Sequence, residues 1–121
     1  MPAYNFRRQF SQLVASGAKR CTIRPPRARR PTRPGDRLHL FAGMRTRACL
    51  KLAEATCLSV EPITIGEDSI ALAGRELDAA ERAALIAADG FAAPADFYAF
   101  FRAQYGLPVE LELITWQPDG G

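Results

Sequence analysis

The sequence predicts an α+β domain or a small β-barrel, and three observations favour that class. Strand-like segments with alternating polarity come first, two helical segments are inserted late, and one further strand closes the chain. The predicted order is strand, helix, three strands, two helices, strand. With 121 residues, 48% hydrophobic and 24% charged, the chain has the composition of a single globular domain, which we expect to span residues 1–121.

The first two elements are short. Residues 3–6 predict an opening strand with alternating side chains. Phe10 and Val14 then recur at the spacing of one helical face, together with Leu13, and Gly17 supplies the left-handed residue that commonly ends a helix. We therefore expect a helix over residues 8–16. Beyond it, Cys21 and Ile23 alternate with polar neighbours, which predicts a strand with one buried face and one face in solvent.

An arginine- and proline-rich segment follows this strand. Residues 24–37 read RPPRARRPTRPGDR and contain six arginines and four prolines. Such a run is too stiff and too self-repelling for a helix or a central strand, so we expect an exposed loop at about residues 25–35. Arginine makes planar, bidentate contacts with phosphate, which favours a phosphate-binding role. The alternative is a solvated loop that only aids solubility.

The middle of the chain predicts more strands. A Pro34-Gly35-Asp36 turn leads into a strand containing Leu38 and Leu40. A longer strand region begins at Ala48, and its length implies a curved or bulged strand. Alternate apolar or β-branched residues of this region share one face: Leu50, Leu52, Thr56, Leu58 and Val60. Short strand pieces are expected over residues 62–74.

The last third predicts two helices and a closing strand. Asp78 and Glu81 form a capping-box pattern that opens a helix extending to about Ala88. Pro94 starts the second helix, which Gly106 closes. One face of that helix is aromatic and is expected to belong to the core: Phe97, Phe101 and Tyr105, with Phe100 adjacent. Residues 109–116 alternate apolar residues with glutamate, as a half-buried strand does.

The charge of the chain is divided unevenly. Residues 1–51 contain thirteen basic residues and one acid, a net +12, whereas the remainder contains three basic and twelve acidic residues, a net −9. This asymmetry indicates an anionic partner. No apolar run approaches the roughly 20 residues of a membrane span, and the N-terminal residues lack the apolar stretch of a signal peptide, so we expect a cytoplasmic protein.

The three cysteines indicate neither disulfides nor a metal. Cys21, Cys49 and Cys57 are odd in number and lack the CxxC spacing of zinc sites, so they are interpreted as structural residues. His39 has no metal-ligand companions at a recognisable spacing and is more simply structural. Tyr4 and Trp116 are candidates for stacking on a base, although packing is their alternative role.

Three motifs resemble those of a known family. GAKRCTIR at residues 17–24, PGDRLHLF at 34–41 and DGFAAPADFYAFF at 89–101 resemble the successive motifs of the ASCH family, in the same order. The similarity spans about residues 3–116. It implies a PUA-like β-barrel with a cleft between the helix-to-strand turn and the late helices, and an association with RNA metabolism. Family members include RNA-binding modules, ribonucleases and an amidohydrolase branch that removes acetyl from N4-acetylcytidine through a Lys, Thr and Glu set.

The resemblance implies a candidate site in this chain. The amidohydrolase lysine and threonine fall on Lys19 and Thr22, and the position of the glutamate carries Asp89, which is one methylene shorter. In that reading Thr22 attacks the acetyl carbonyl, Lys19 assists proton transfer, and neither a metal nor an organic cofactor is needed. The arginines predicted to bind substrate or RNA are Arg20, Arg24, Arg27, Arg29, Arg30 and Arg33.

The predicted site requires a local distortion. Lys19 and Thr22 have opposite parity, so both can face one cleft only if a turn at Gly17 leaves Lys19 outside the regular strand. Otherwise Thr22 is a β-branched strand residue and Lys19 a solvated one. Four functions therefore stay open: a nucleoside amidohydrolase, an RNA-binding module, a ribonuclease, and a domain that docks an acidic protein.

Overall fold

The computed structural model describes residues 2–119 as a mixed α+β fold with one seven-stranded sheet and three helices. The α+β class and the order of the main elements are as predicted. Of the short strand pieces expected over residues 62–74, residues 62–65 belong to the end of the long strand, and two short strands follow at 70–72 and 75–76. The elements are β1 (Ala3–Phe6), α1 (Arg8–Ser16), β2 (Cys21–Arg24), β3 (Arg37–Ala42), β4 (Leu50–Ile65), β5 (Ile70–Leu72), β6 (Arg75–Glu76), α2 (Ala79–Ala88), α3 (Pro94–Tyr105) and β7 (Val109–Pro118).

The long strand β4 organises the sheet. It pairs antiparallel with β3, β5 and β7, while β1 runs parallel to β3, and β2 pairs antiparallel with β7. The strands thus follow the path β2, β7, β4, β3, β1, and β6 extends the branch that β5 begins. Over the described residues no backbone pairing joins β1 to β2, so the sheet is not closed into a barrel.

The strand β4 is bulged, as its length implied. The face that the sequence predicted its alternate apolar residues to share is not the buried one. Its register against β7 shifts between Cys57 and Ser59. Leu58, the extra residue of that bulge, is 54% exposed, and Leu50 at the strand's start is 61% exposed. The side chains that enter the core have the opposite parity: Ala55, Cys57, Ile63 and Ile65. A small residue suffices at Cys57 because it lies opposite the large, buried Trp116.

The helices begin and end where the sequence predicted. α2 starts with a complete capping box between Asp78 and Glu81, and α3 starts at Pro94. Phe97 and Phe101 are buried in the core. Tyr105 is not, because the last turn of α3 extends beyond the core. None of the helices among residues 2–119 is long and apolar enough to cross a membrane.

Tyr4 and Trp116 are packing residues. Trp116 is 1% exposed and lies edge-on to Phe6, so neither face is open to a base. Tyr4 is also buried, and its hydroxyl contacts the Thr32 hydroxyl at 2.5 Å. That contact anchors the arginine-rich loop, of which residues 25–31 and 33–35 are exposed as expected.

The cysteines differ in accessibility, and this gives a first test. Cys21 and Cys57 are buried, as structural cysteines should be, but Cys49 is exposed. Burial raises the pKa of Cys21 to about 12, so its thiolate is scarce at neutral pH. We expect Ellman's reagent to label Cys49 rapidly in the native protein, and Cys21 and Cys57 only after unfolding. Rapid native labelling that persists in Cys49→Ser would contradict this packing.

Candidate functional site

A cleft of about 240 Å³ opens between β1 and β2, the two ends of the sheet path. The turn after α1, the end of α2 and one side of α3 complete its walls. It brings together four of the residues predicted from the sequence: Lys19, Thr22, Arg24 and Asp89. The rest of its lining is largely aromatic: Phe6, Phe10, Phe91, Phe100, Phe101 and Tyr105, with Asn5, Arg7, Ile23 and Gln104.

The turn at Gly17 places Lys19 in the cleft. Gly17 has a φ of 82°, in the left-handed region, and its N–H bonds to the carbonyl of Val14 to end α1. The Lys19 N–H then donates to the carbonyl of Leu13 at 2.9 Å, and β2 begins only at Cys21. Lys19 therefore lies outside the regular strand and lines the same cleft as Thr22, although the two have opposite parity.

Lys19 and Asp89 form a buried ion pair at the floor of the cleft. The Lys19 Nζ donates to Asp89 Oδ1 at 2.5 Å and to the Asp89 carbonyl at 2.6 Å. The two side chains are 3% and 5% exposed. Asp89 follows α2 as its C-terminal cap, which aims both its carbonyl and its carboxylate at the lysine. The aspartate thus reaches the amine even though its side chain is one methylene shorter than glutamate.

The surroundings of the ion pair are mostly apolar, which changes the pKa of the Asp89 carboxyl group. The Lys19 Nζ lies 5.1 Å from the centroid of the Phe10 ring. Burial raises the pKa of Asp89 above its ordinary value, and the positive charges of Lys19 and Arg24 oppose that shift. The Asp89 carboxylate therefore accepts a proton more readily than a solvated aspartate does.

Thr22 and Arg24 form the adjoining wall. Thr22 is only 4% exposed. The expectation that this side of β2 faces solvent is therefore wrong at Thr22, because the aromatic side chains that line the cleft cover it. Arg24 donates from Nε to the Thr22 Oγ1 at 2.9 Å and from Nη2 to the Asn5 carbonyl at 2.7 Å. The arginine side chain therefore bridges β2 and β1, which share no backbone hydrogen bond in the described chain.

The arginine-rich loop forms a separate basic depression beside the cleft, which we define by Arg27, Arg30 and Arg33. Its volume is about 470 Å³, and Pro2, Pro31, Asp36 and Arg37 complete its lining. Tyr4 lies between the two hollows: Arg24 of the cleft and Arg27 of the depression lie 5.6 and 5.8 Å from its ring centroid. The two hollows are therefore neighbours but not one pocket.

The remaining predicted residues lie elsewhere. Arg20 donates to the carbonyl of Gly17 at 2.9 Å, and Arg29 is exposed on the loop; neither lines the cleft or the basic depression. His39 is half-buried beside Glu54, at 3.9 Å, which suits a structural role. Within residues 2–119 no three His, Cys, Asp or Glu side chains converge as metal ligands would.

Several residues that line the cleft were not predicted from the sequence. Asn5, Arg7 and Gln104 were not singled out, and Tyr105 was assigned to the core because it follows Phe101 at helical spacing. In the structure Tyr105 is 38% exposed. Tyr105 lies in the last turn of α3, one residue before Gly106 and three before Pro108. This position at the end of the helix is the signal that would have suggested exposure.

Comparisons of the chain with protein-family models, with curated proteins and with solved structures give no match. The resemblance to the ASCH family therefore stays a prediction from the three motifs.

Proposed function

We propose that this chain is an ASCH-type, PUA-like domain whose cleft binds N4-acetylcytidine and hydrolyses its acetyl group, acting in the cytoplasm. The observation that carries the proposal is the contact between Lys19 and Asp89 at the floor of a cleft that Thr22 also lines. At about 240 Å³ the cleft is smaller than the roughly 300–1,000 Å³ typical of drug-sized ligands, which favours a ligand of nucleoside size over an RNA duplex.

The first half of the reaction forms an ester on Thr22. Asp89 takes a proton from the Lys19 ammonium, and the neutral amine then removes the proton of the Thr22 hydroxyl. The Arg24 Nε–H, which donates to the Thr22 Oγ1, stabilises the charge on that oxygen as its proton leaves. The oxygen then attacks the acetyl carbonyl, and the negative charge moves to the carbonyl oxygen. The bond between the carbonyl carbon and N4 breaks, and Lys19 returns its proton to N4, so cytidine leaves.

The second half releases acetate. A water molecule attacks the acetyl ester of Thr22, with Lys19 again accepting a proton. The ester bond breaks, the threonine hydroxyl regains a proton from Lys19, and the acetic acid that forms loses its proton to solvent and leaves as acetate. Asp89 then returns its proton to Lys19, which restores the starting ion pair. The net reaction consumes one water molecule and needs no oxidant, reductant or metal.

An RNA-binding function is the second candidate, and the basic depression favours it. Arg27, Arg30 and Arg33 make no ion pair within residues 2–119. Guanidinium groups without carboxylate partners are available for phosphate. In this reading the depression binds the backbone of a single strand, with or without turnover in the cleft.

Salt dependence tests the basic depression. For single strands, the logarithm of the binding constant falls against the logarithm of salt with a slope of about −0.7 per neutralised phosphate. We expect Arg27→Ala/Arg30→Ala to make that slope shallower by about 1.4 units for a single-stranded RNA, corresponding to two lost contacts. The control is Arg8→Ala/Arg47→Ala, which removes the same charge from exposed positions outside both hollows. Equal slopes for the two double variants would argue against a phosphate site here.

One assay series separates the candidate functions. Purified protein and Lys19→Ala are incubated with N4-acetylcytidine and, separately, with a labelled RNA pool. The proposal predicts cytidine and acetate from the wild type and none from the variant. RNA cleavage without deacetylation would favour a ribonuclease, and RNA binding without product would favour a binding module. Recovery of a protein partner that resists nuclease, with no RNA affinity, would favour a docking domain instead.

A further inference from the structure

The last turn of α3 presents an exposed aromatic ring to the cleft. Tyr105 is the one aromatic side chain among residues 2–119 that is substantially exposed, at 38%. One face of its ring is stacked on Phe101, with a 19° angle between the planes and 6.1 Å between the centroids. The ring therefore packs against Phe101 while part of its surface stays open, which is an arrangement on which a planar ligand can stack.

Gln104, the neighbour of Tyr105, presents a hydrogen-bond donor. The Arg7 Nη2 donates to the Gln104 Oε1 at 2.8 Å, and the Arg7 guanidinium lies 4.8 Å from the centroid of the Phe100 ring. An arginine side chain can only donate, so this contact commits the Gln104 oxygen as an acceptor. The Gln104 Nε2 is then left with its two N–H donors at the rim of the cleft.

These two residues define a ligand chemistry. Tyr105 suits a flat ring, and the Gln104 amide suits an acceptor atom on that ring. Arg24, which lines the same cleft, adds a positive charge. An aromatic ring that carries a carbonyl oxygen satisfies both groups, whereas a ring with donor groups along that edge would meet another donor.

We propose that the last turn of α3 selects the ligand: Tyr105 stacks on the pyrimidine ring, and Gln104 donates from Nε2 to its 2-carbonyl oxygen. This inference rests on the proposed function and extends it, because it assigns ring recognition to residues that take no part in the proposed chemistry. It predicts that the ring binds at α3 while the acetyl group lies towards Thr22. Variants of α3 should therefore change binding more than turnover.

Binding and kinetics together test this inference. Cytidine, which has no acetyl group to lose, is titrated into each variant by calorimetry, and KM and kcat are measured with N4-acetylcytidine. We expect Tyr105→Ala to weaken cytidine binding about ten-fold or more and Tyr105→Phe to change it less than about three-fold, because the ring and not the hydroxyl stacks. Gln104→Glu keeps an acceptor for Arg7 but removes the donor, so KM should rise about ten-fold with kcat within about three-fold.

Matched controls separate recognition from folding. Tyr98→Ala removes another tyrosine of α3 that does not line the cleft, and Gln9→Glu makes the same charge change on α1, also outside the cleft. Both should bind cytidine as the wild type does. If the wild type binds cytidine and both Tyr105→Ala and Gln104→Glu bind it equally well, the inference is wrong while the proposed function stands. If the wild type neither binds cytidine nor deacetylates N4-acetylcytidine, both are overturned.

Discussion

Replacing Lys19 with methionine is expected to destabilise the protein by about 3–5 kcal/mol, because the change leaves the Asp89 carboxylate buried without its counter-charge. The side chain of Asp89 is only 5% exposed, so water cannot replace the lost ammonium. Methionine is close to lysine in length and apolar, so the packing against Phe10 is largely kept. Urea unfolding followed by circular dichroism measures the effect as a lower midpoint at an unchanged slope.

The pH dependence of this loss has a definite sign. In Lys19→Met, burial raises the pKa of Asp89 and the opposing lysine is gone, so the folded state binds the Asp89 proton more tightly than the unfolded state does. Lowering the pH from 8 towards 4 should therefore reduce the stability difference between the variant and the wild type. A difference that grows on acidification would contradict a buried, uncompensated carboxylate.

Two further variants serve as controls for Lys19→Met. Lys51→Met removes a lysine whose partner, Glu54, is on the surface, and such pairs contribute about 0–1 kcal/mol. The double variant Lys19→Met/Asp89→Asn removes both charges and should recover most of the lost stability. A cost for Lys19→Met no larger than that for Lys51→Met would show that the ion pair is not buried in solution.

The second large effect is expected on catalysis. Thr22→Val replaces the hydroxyl by a methyl group of similar size, so the proposed nucleophile is lost while β2 keeps its shape. We expect the rate of N4-acetylcytidine hydrolysis to fall by about 10³-fold or more, while cytidine binding changes by only a few-fold. Arg24 loses the acceptor of its Nε–H, so a moderate loss of stability, about 1–3 kcal/mol, should accompany the change.

Thr22→Ser is the matched control because it keeps a hydroxyl at the same position. It should retain most of the activity that Thr22→Val loses, and both variants should unfold in a single transition. If Thr22→Val kept a tenth or more of the wild-type rate, the hydroxyl would not be the attacking group, and water activated directly by Lys19 would replace it in the mechanism.

The elements with strong local signals were predicted correctly from the sequence. Gly17 ends α1 through a left-handed residue, and the capping box of Asp78 and Glu81 starts α2, because these signals depend on a few neighbouring residues. The convergence of Lys19, Thr22 and Asp89 was anticipated only through the family resemblance. Their separation along the chain leaves no periodic signal by which spacing alone could relate them.

The predictions from the sequence were wrong where contacts between distant parts of the chain determine which side chains are buried. The buried face of β4 could not be assigned from its apolar pattern, because Leu50 and Leu58 are exposed and side chains of the opposite parity enter the core on both sides of the bulge. Thr22 is buried because helices distant in sequence cover β2. Tyr105 is exposed because the last turn of α3 extends beyond the core. Composition likewise could not separate the loop arginines that line the basic depression from Arg29, which does not.

A crystal structure of the protein with cytidine bound would show whether the opening between β1 and β2 holds the ligand. We expect the pyrimidine ring against Tyr105, its exocyclic nitrogen directed towards Thr22, and Lys19 still in contact with Asp89. A ligand found only in the basic depression, or on any surface away from Thr22 at saturating cytidine, would contradict it.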